Sequence, residues 1–291
     1  MKIWPDCIPC ILKMSLGIAR VVMKDKDQVR RFMEQVIRLR YFDGGDREVT
    51  SPEVIQDVWL KLIEVSGKPD PLKEIKDEQN KKALAIYPKA EELVWKSKDP
   101  LLGAIRLAIA GNAIDAMTDV KGESSEEIIK RWNQLEIDNE KLNILRERLE
   151  KTRSVVYLGD NCGEIIFDRL LIEVLLQMYR MEITFITRTL PILNDATLQD
   201  ALSMGIGNIA KVMENGLPEP IPGTYLKRIS SKVKALIERS DLVISKGGGN
   251  YDSLTEEKGL KGKISFLFLA KCYPYCNIHD VSLNAPVIYN F

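Results

Sequence analysis

Val54, Val58, Leu62 and Val65 recur at helical spacing between Ser51-Pro52-Glu53 and Gly67. A serine, a proline and an early carboxylate are start signals and a glycine is a stop signal, so a helix is expected there with Ser51 as its N-cap. Asp99-Pro100 repeats the start before residues 101–117, whose apolar side chains cover nearly every face and predict a central, buried helix. Residues 25–42, 74–98 and 125–151 are amphipathic with many charges, and the chain reads as helical up to about residue 150. From Arg153 the period changes. Short β-branched, apolar runs stand at 154–158, 183–186, 209–213, 242–244 and 264–269, with helical stretches at 165–178 and 225–239 among them. This alternation predicts an α/β fold: an all-helical domain over residues 1–151, then a Rossmann-like domain over residues 152–291 whose mostly parallel sheet is flanked by helices.

Composition narrows the function classes. The chain has 291 residues, 45% hydrophobic and 29% charged, which suits a globular protein and removes the disordered, collagen-like and disulfide-scaffold classes. Lys+Arg and Asp+Glu are equal at 42 each, with no basic stripe, so neither a nucleic acid nor a membrane surface is an expected partner. The apolar run 101–117 is interrupted by Arg106, Asn112 and Asp115, and no charged-then-apolar export segment opens the chain, so a cytoplasmic location is expected. The only histidine is His279, and any Ser-His-Asp triad or His-rich zinc site would have to be built around it.

In an open α/β sheet the ligand crevice lies outside the carboxyl ends of the strands, and here each end is polar. Gly159-Asp160-Asn161-Cys162-Gly163-Glu164 follows the first run, and Thr187-Arg188 with Asn194-Asp195 follows the second. Glu214-Asn215-Gly216, Ser245-Lys246-Gly247-Gly248-Gly249-Asn250 and Ala270-Lys271-Cys272 follow the remaining three. The set suits a hard divalent cation plus a phosphate. Such ions take one or two carboxylates and leave other positions to water and phosphate oxygens, a job that Asp160, Asn161 and Asp195 fit. Lys246 and Lys271 would neutralise the anion, the three glycines would let backbone N–H groups come close, and the helix starting near Glu164 would aim its positive end inward.

Taken singly, each feature has an ordinary explanation. Asp-Asn-x-Gly is common turn chemistry, and three glycines serve any tight loop; they match neither a Walker A sequence nor Gly-x-Gly-x-x-Gly. Asn112 and Asp115, three apart on an apolar helix, are either a buried hydrogen-bonded pair or a polar face holding substrate. Cys7-x-x-Cys10 with Cys272 and Cys276 suggests four thiolates, but the second spacing is unusual for zinc and structural packing is the expected role. The conjunction of polar strand ends is what favours a site.

Together, the stretches Leu158 to Asp168, Pro191 to Thr197, Ser245 to Tyr251 and Ala270 to Cys272 resemble the damage-control phosphatases, in order and spacing. Cys7-x-x-Cys10 and Gly111-Asn112-x-x-Asp115 look like the stand-alone, mostly archaeal and prokaryotic branch, so the resemblance spans nearly the whole chain. It implies a helical domain capping a Rossmann-like one, and a divalent-metal-dependent phosphatase (Mg, Mn, Co or Ni) acting on small phosphometabolites such as sugar phosphates or damaged and surplus cofactor precursors. On that view Asp160, Asn161 and Asp195 hold the metal, and Asp160, Lys246 and Lys271 are catalytic, with the lysines on the phosphate. Asn112, Asp115, Glu164, Arg188, Gly247 and Asn250 would contact substrate. The sequence departs from the family where Cys162 replaces a usual Ala, and Gly248 a usual Gln or Asp. The expected chemistry is phosphomonoester hydrolysis by metal-assisted water attack, with an aspartyl-phosphate on Asp160 as a lesser route. The competing readings are an S-adenosylmethionine-dependent carboxyl methyltransferase, against which the two strand-end lysines speak, and a non-catalytic phosphometabolite-binding protein.

Overall fold

The computed structural model describes residues 1–42, 48–114 and 125–291. Seven helices precede the first strand: α1 (Cys7–Val22), α2 (Lys26–Ile37), α3 (Ser51–Ser66), α4 (Lys73–Lys96), α5 (Pro100–Gly111), α6 (Ser125–Trp132) and α7 (Asn139–Lys151). Strands and helices then alternate as β1 (Ser154–Leu158), α8 (Ile165–Met178), β2 (Glu182–Thr187), α9 (Leu198–Ser203), β3 (Lys211–Glu214) and α10 (Ser231–Arg239). The chain closes with β4 (Leu242–Lys246), α11 (Gly247–Leu254), β5 (Ile264–Leu269), α12 (Tyr273–His279) and β6 (Pro286–Asn290).

The strand order is β3-β2-β1-β4-β5-β6, parallel except for β6, which pairs antiparallel with β5. This is the expected α/β class, with its mostly parallel sheet. Because the chain moves outward from β1 to β3 and then returns to β4, the order reverses between β1 and β4, where a crevice forms at the strands' carboxyl ends. Side chains alternate along each strand. Val155 and Tyr157 of β1 pack with α8 and with apolar residues of α4 to α7, whereas Val156 and Leu158 pack with α10 and α11. A third apolar cluster joins α1, α2 and α3 to Ile192 and Leu193 of the β2–α9 loop. The first seven helices therefore do not share one core: α4 to α7 bury their apolar faces with the sheet, and α1 to α3 form a separate layer at its carboxyl end.

Several local expectations are corrected. The N-cap of α3 is Thr50, one residue before Ser51, because Thr50 and Glu53 exchange side-chain hydrogen bonds in a capping box. Residues 125–151 are two helices, since Trp132 donates its indole N–H to Gly103 O at 2.7 Å and Asp138 caps a new start. The glycine run after Lys246 opens α11. Among the described residues no helix is long and apolar enough to cross a membrane.

Candidate functional site

The loops after β1 and β2 are joined by backbone. Ala196 N–H donates to Asp160 O at 2.7 Å, Cys162 N–H donates to Asn194 O at 2.8 Å, and Asn161 and Asp195 form an isolated antiparallel bridge. Asp160, Asn161 and Asp195 are thereby brought together on a cavity of about 130 Å³, along with Lys271 and the backbone of Gly248 and Gly249. Asp160 Oδ2 accepts from Asn161 Nδ2 at 2.8 Å and from Asn112 Nδ2 at 3.2 Å. Arg188 Nε donates to Asp195 Oδ2 at 2.7 Å, while its Nη2 lies 3.6 Å from Asp160 Oδ1 and makes no hydrogen bond. One guanidinium thus stands between two carboxylates. Gly247 is required beneath them: its φ is +76°, and a Cβ there would fall 1.8 Å from Asp160 Oδ2.

Behind this group lies a second one, closed to solvent. Lys246 Nζ donates to Glu164 Oε1 at 2.6 Å, Asp168 Oδ1 at 2.7 Å and Ala108 O at 2.7 Å. The last contact places a cation on the carbonyl end of α5, where the helix dipole favours it. Burial alone would lower the Lys246 pKa, but the charges of Asp168 and Glu164 hold it above its ordinary value. Burial pushes the Asp168 carboxyl up, against the pull of Lys246, although Tyr157 Oη also donates to it at 2.7 Å. Glu164 links the two groups, since its Oε2 accepts from Asn112 Nδ2 at 3.1 Å and Asn161 Nδ2 at 3.0 Å.

Of the residues singled out from sequence, Asp160, Asn161, Asp195 and Lys271 line the cavity. The structure places the others behind it. Lys246 has three acceptors for its three N–H bonds and no exposed surface, so its ammonium holds Glu164 and Asp168 where an anion contact was expected. Asn112 and Glu164, fully buried, position Asp160 and Asn161, and Arg188 braces Asp160 and Asp195. Asn250 spends its amide on Gly159 O and Lys246 O, and accepts from Arg188 and Thr224. Asp115 lies outside the described residues.

Sequence reasoning missed Asp168, though its spacing of four from Glu164 on an otherwise apolar helix was a signal for two buried acids needing a cation. It also missed Asp252, a buried carboxyl on the cavity that burial pushes up to about 7, with Tyr275 Oη donating to it at 3.1 Å. Cys7, Cys10 and Cys272 line the cavity as free thiols, and Cys276 does not. His279 lies among the rings of Tyr251, Phe268 and Tyr289 in the core beyond β5, and burial pushes it down to about 4.

Asp160, Asn161 and Asp195 present an all-oxygen donor set, the kind preferred by Mg²⁺ and similar hard ions. Among the described residues no group of three or more His, Cys, Asp or Glu side chains is arranged to hold a metal; the third donor in this set is an amide.

A family model described as the damage-control phosphatase ARMT1-like domain matches residues 3–287. An uncharacterized protein of Methanocaldococcus jannaschii is 34% identical over 284 residues, 94% of this chain and 90% of its own. A damage-control phosphatase of Archaeoglobus fulgidus is 30% identical over 290 residues, 98% of this chain and 96% of its own. The crystal structure of a DUF89 family protein from Pyrococcus horikoshii matches with a TM-score of 0.84 at 28% identity, covering 100% of both chains.

Proposed function

The chain belongs to the ARMT1-like damage-control phosphatase family, a family of phosphatases acting on damaged metabolites, and from that premise we propose that it is a divalent-metal-dependent phosphomonoesterase for small phosphorylated metabolites. The observation that carries the reading is the meeting of Asp160, Asn161, Asp195 and Lys271 on one cavity at the switch between β1 and β4.

The residues fit a divalent cation by charge as well as by donor type. Four buried carboxylates, Asp160, Asp195, Glu164 and Asp168, face two buried cations, Arg188 and Lys246. An excess of buried negative charge is costly unless a further cation meets it. Asp160, Asn161 and Asp195 would hold that cation, which when bound polarises a phosphoryl oxygen and lowers the pKa of water. Mg, Mn, Co and Ni are the candidates in this proposal.

The chain's own residues do the rest. Lys271 balances charge on the phosphoryl oxygens, and the N–H groups at the start of α11 face the same space. Arg188 and Asn112 hold Asp160 in orientation, so little reorganisation is needed as charge develops. In the net reaction a water oxygen bonds to phosphorus, the ester P–O bond breaks, and the alcohol oxygen leaves with a proton. A cytoplasmic site of action belongs to the same reading, supported by five free thiols.

The test is phosphate release from a panel of phosphomonoesters in chelator, then with Mg²⁺, Mn²⁺, Co²⁺ or Ni²⁺ restored. Metal-restored release that disappears in Asp160→Ala is the expected outcome. Silence with every metal, or full turnover in Asp160→Ala, overturns the reading.

A further inference from the structure

The cavity has two unlike ends. Its floor carries Asp160, Asn161, Asp195 and Lys271, whereas the wall facing them, supplied largely by α1, α3 and connecting loops, presents Ile11, Pro52, Ile55, Leu193, Pro222 and Pro274. Three of these six are prolines, which have no backbone N–H to offer. The remaining polar groups nearby are already occupied: Tyr275 Oη donates to Asp252 Oδ1 at 3.1 Å, Ser51 hydrogen-bonds Asp252, and Cys7 Sγ accepts from Trp4 N–H at 3.3 Å. A ligand hydroxyl pressed against this wall would leave water without gaining a partner, while a methylene would gain.

We propose that the ester hydrolysed here has a compact, largely apolar organic part, and that the wall formed by Ile11, Pro52, Ile55, Leu193, Pro222 and Pro274 selects it against polyols. The proposal rests on the phosphatase reading and specifies the alcohol that leaves. Specificity is set by the half of the molecule that does no chemistry: the floor grips the phosphate common to all substrates, and α1 and α3 read what is attached to it. An apolar pocket gains about fourfold per buried methylene. It loses roughly tenfold per hydroxyl buried without a partner.

The experiment compares kcat/KM for n-alkyl phosphates of one to six carbons with that for glycerol, tetritol and hexose phosphates, all with the metal that best restores activity after chelation. The expected result is a rise of about fourfold per methylene until the wall is filled. Polyol phosphates of equal carbon number should fall at least about tenfold below the alkyl esters. Ile55→Asn should narrow the alkyl-to-polyol ratio by about tenfold, because it offers an amide where the wall had none. If Ile55→Asn fails to fold, the wild-type series still decides. Polyol phosphates hydrolysed as well as or better than alkyl phosphates would overturn this inference and leave the phosphatase standing. No release from any ester with any metal would overturn the phosphatase reading itself, and the inference with it.

Discussion

Lys246 and Arg188 are both fully buried cations at strand ends, yet they do opposite things. Lys246, at the end of β4, has an acceptor for each of its N–H bonds and is sealed among α5, α8 and the sheet. Arg188, after β2, stands between two carboxylates that line a cavity, and one of its nitrogens makes no hydrogen bond. The same residue types therefore yield a strut in one place and an unfinished charge balance in the other. Access is what separates them. A closed ionic cluster can only support structure, whereas a cavity-facing cluster with surplus negative charge can take up a cation and a reacting group.

The sharpest way to break this contrast is to remove one charge from each side. Asp160→Ala should cut phosphate release by roughly a thousandfold, about 4 kcal/mol of barrier, with the unfolding midpoint little changed. Lys246→Met should do the reverse in kind, costing about 3 kcal/mol of stability in denaturant unfolding, because it strands Glu164 and Asp168 without their cation. Adding Asp168→Asn to Lys246→Met should restore part of that loss, and a Lys246→Met cost under about 1 kcal/mol would break the contrast. Lys271→Ala should raise KM by about tenfold to a hundredfold in steady-state assays, in line with losing one charge-assisted contact, and leave stability unchanged.

The smallest effect concerns Asp252, a buried carboxyl that belongs to neither cluster. Tyr275, Ser51, Cys272 and the N-terminal amine face it, and burial pushes its pKa up to about 7. An acid with a raised folded pKa binds more protons folded than unfolded, so its contribution to stability falls as pH rises from about 4 to about 7. Asp252→Asn should remove that loss. The thermal midpoint of the variant relative to wild type should rise by about 2–4 °C between pH 5 and pH 8, as read by differential scanning calorimetry.

The parallel strands were legible because each is a short β-branched run buried on both faces, as Ser154–Leu158 and Ile264–Leu269 show. β6 was not, since Pro286–Asn290 is brief, half-buried and opens with a proline. Within the site, Asp160, Asn161, Asp195 and Lys271 could be read because they directly follow strands, where this fold places its ligands. The difference between Lys246 and Lys271 could not. Both follow buried strands, and only the helices packed over Lys246, with Ala108 O and Glu164 in reach, make it a strut. The glycine run hid α11 because propensity counts glycine as a helix breaker, while tertiary contact demands it: a Cβ on Gly248 would meet Tyr275 Oη at 2.7 Å, and one on Gly249 would come within 3.3 Å of Gly223 N.

Gly247 bears on how a mutational scan of this protein would look. Because a side chain there would occupy the same space as Asp160 Oδ2, every one of the nineteen alternatives should score as inactive. A map coloured by lost activity would therefore mark as catalytic a residue with no reactive atom of its own. Its neighbour Lys246 would be marked just as strongly, through loss of soluble protein. Only when abundance is recorded beside activity do the two adjacent positions come apart, one an empty space kept for a carboxylate and the other a buried charge that holds the scaffold.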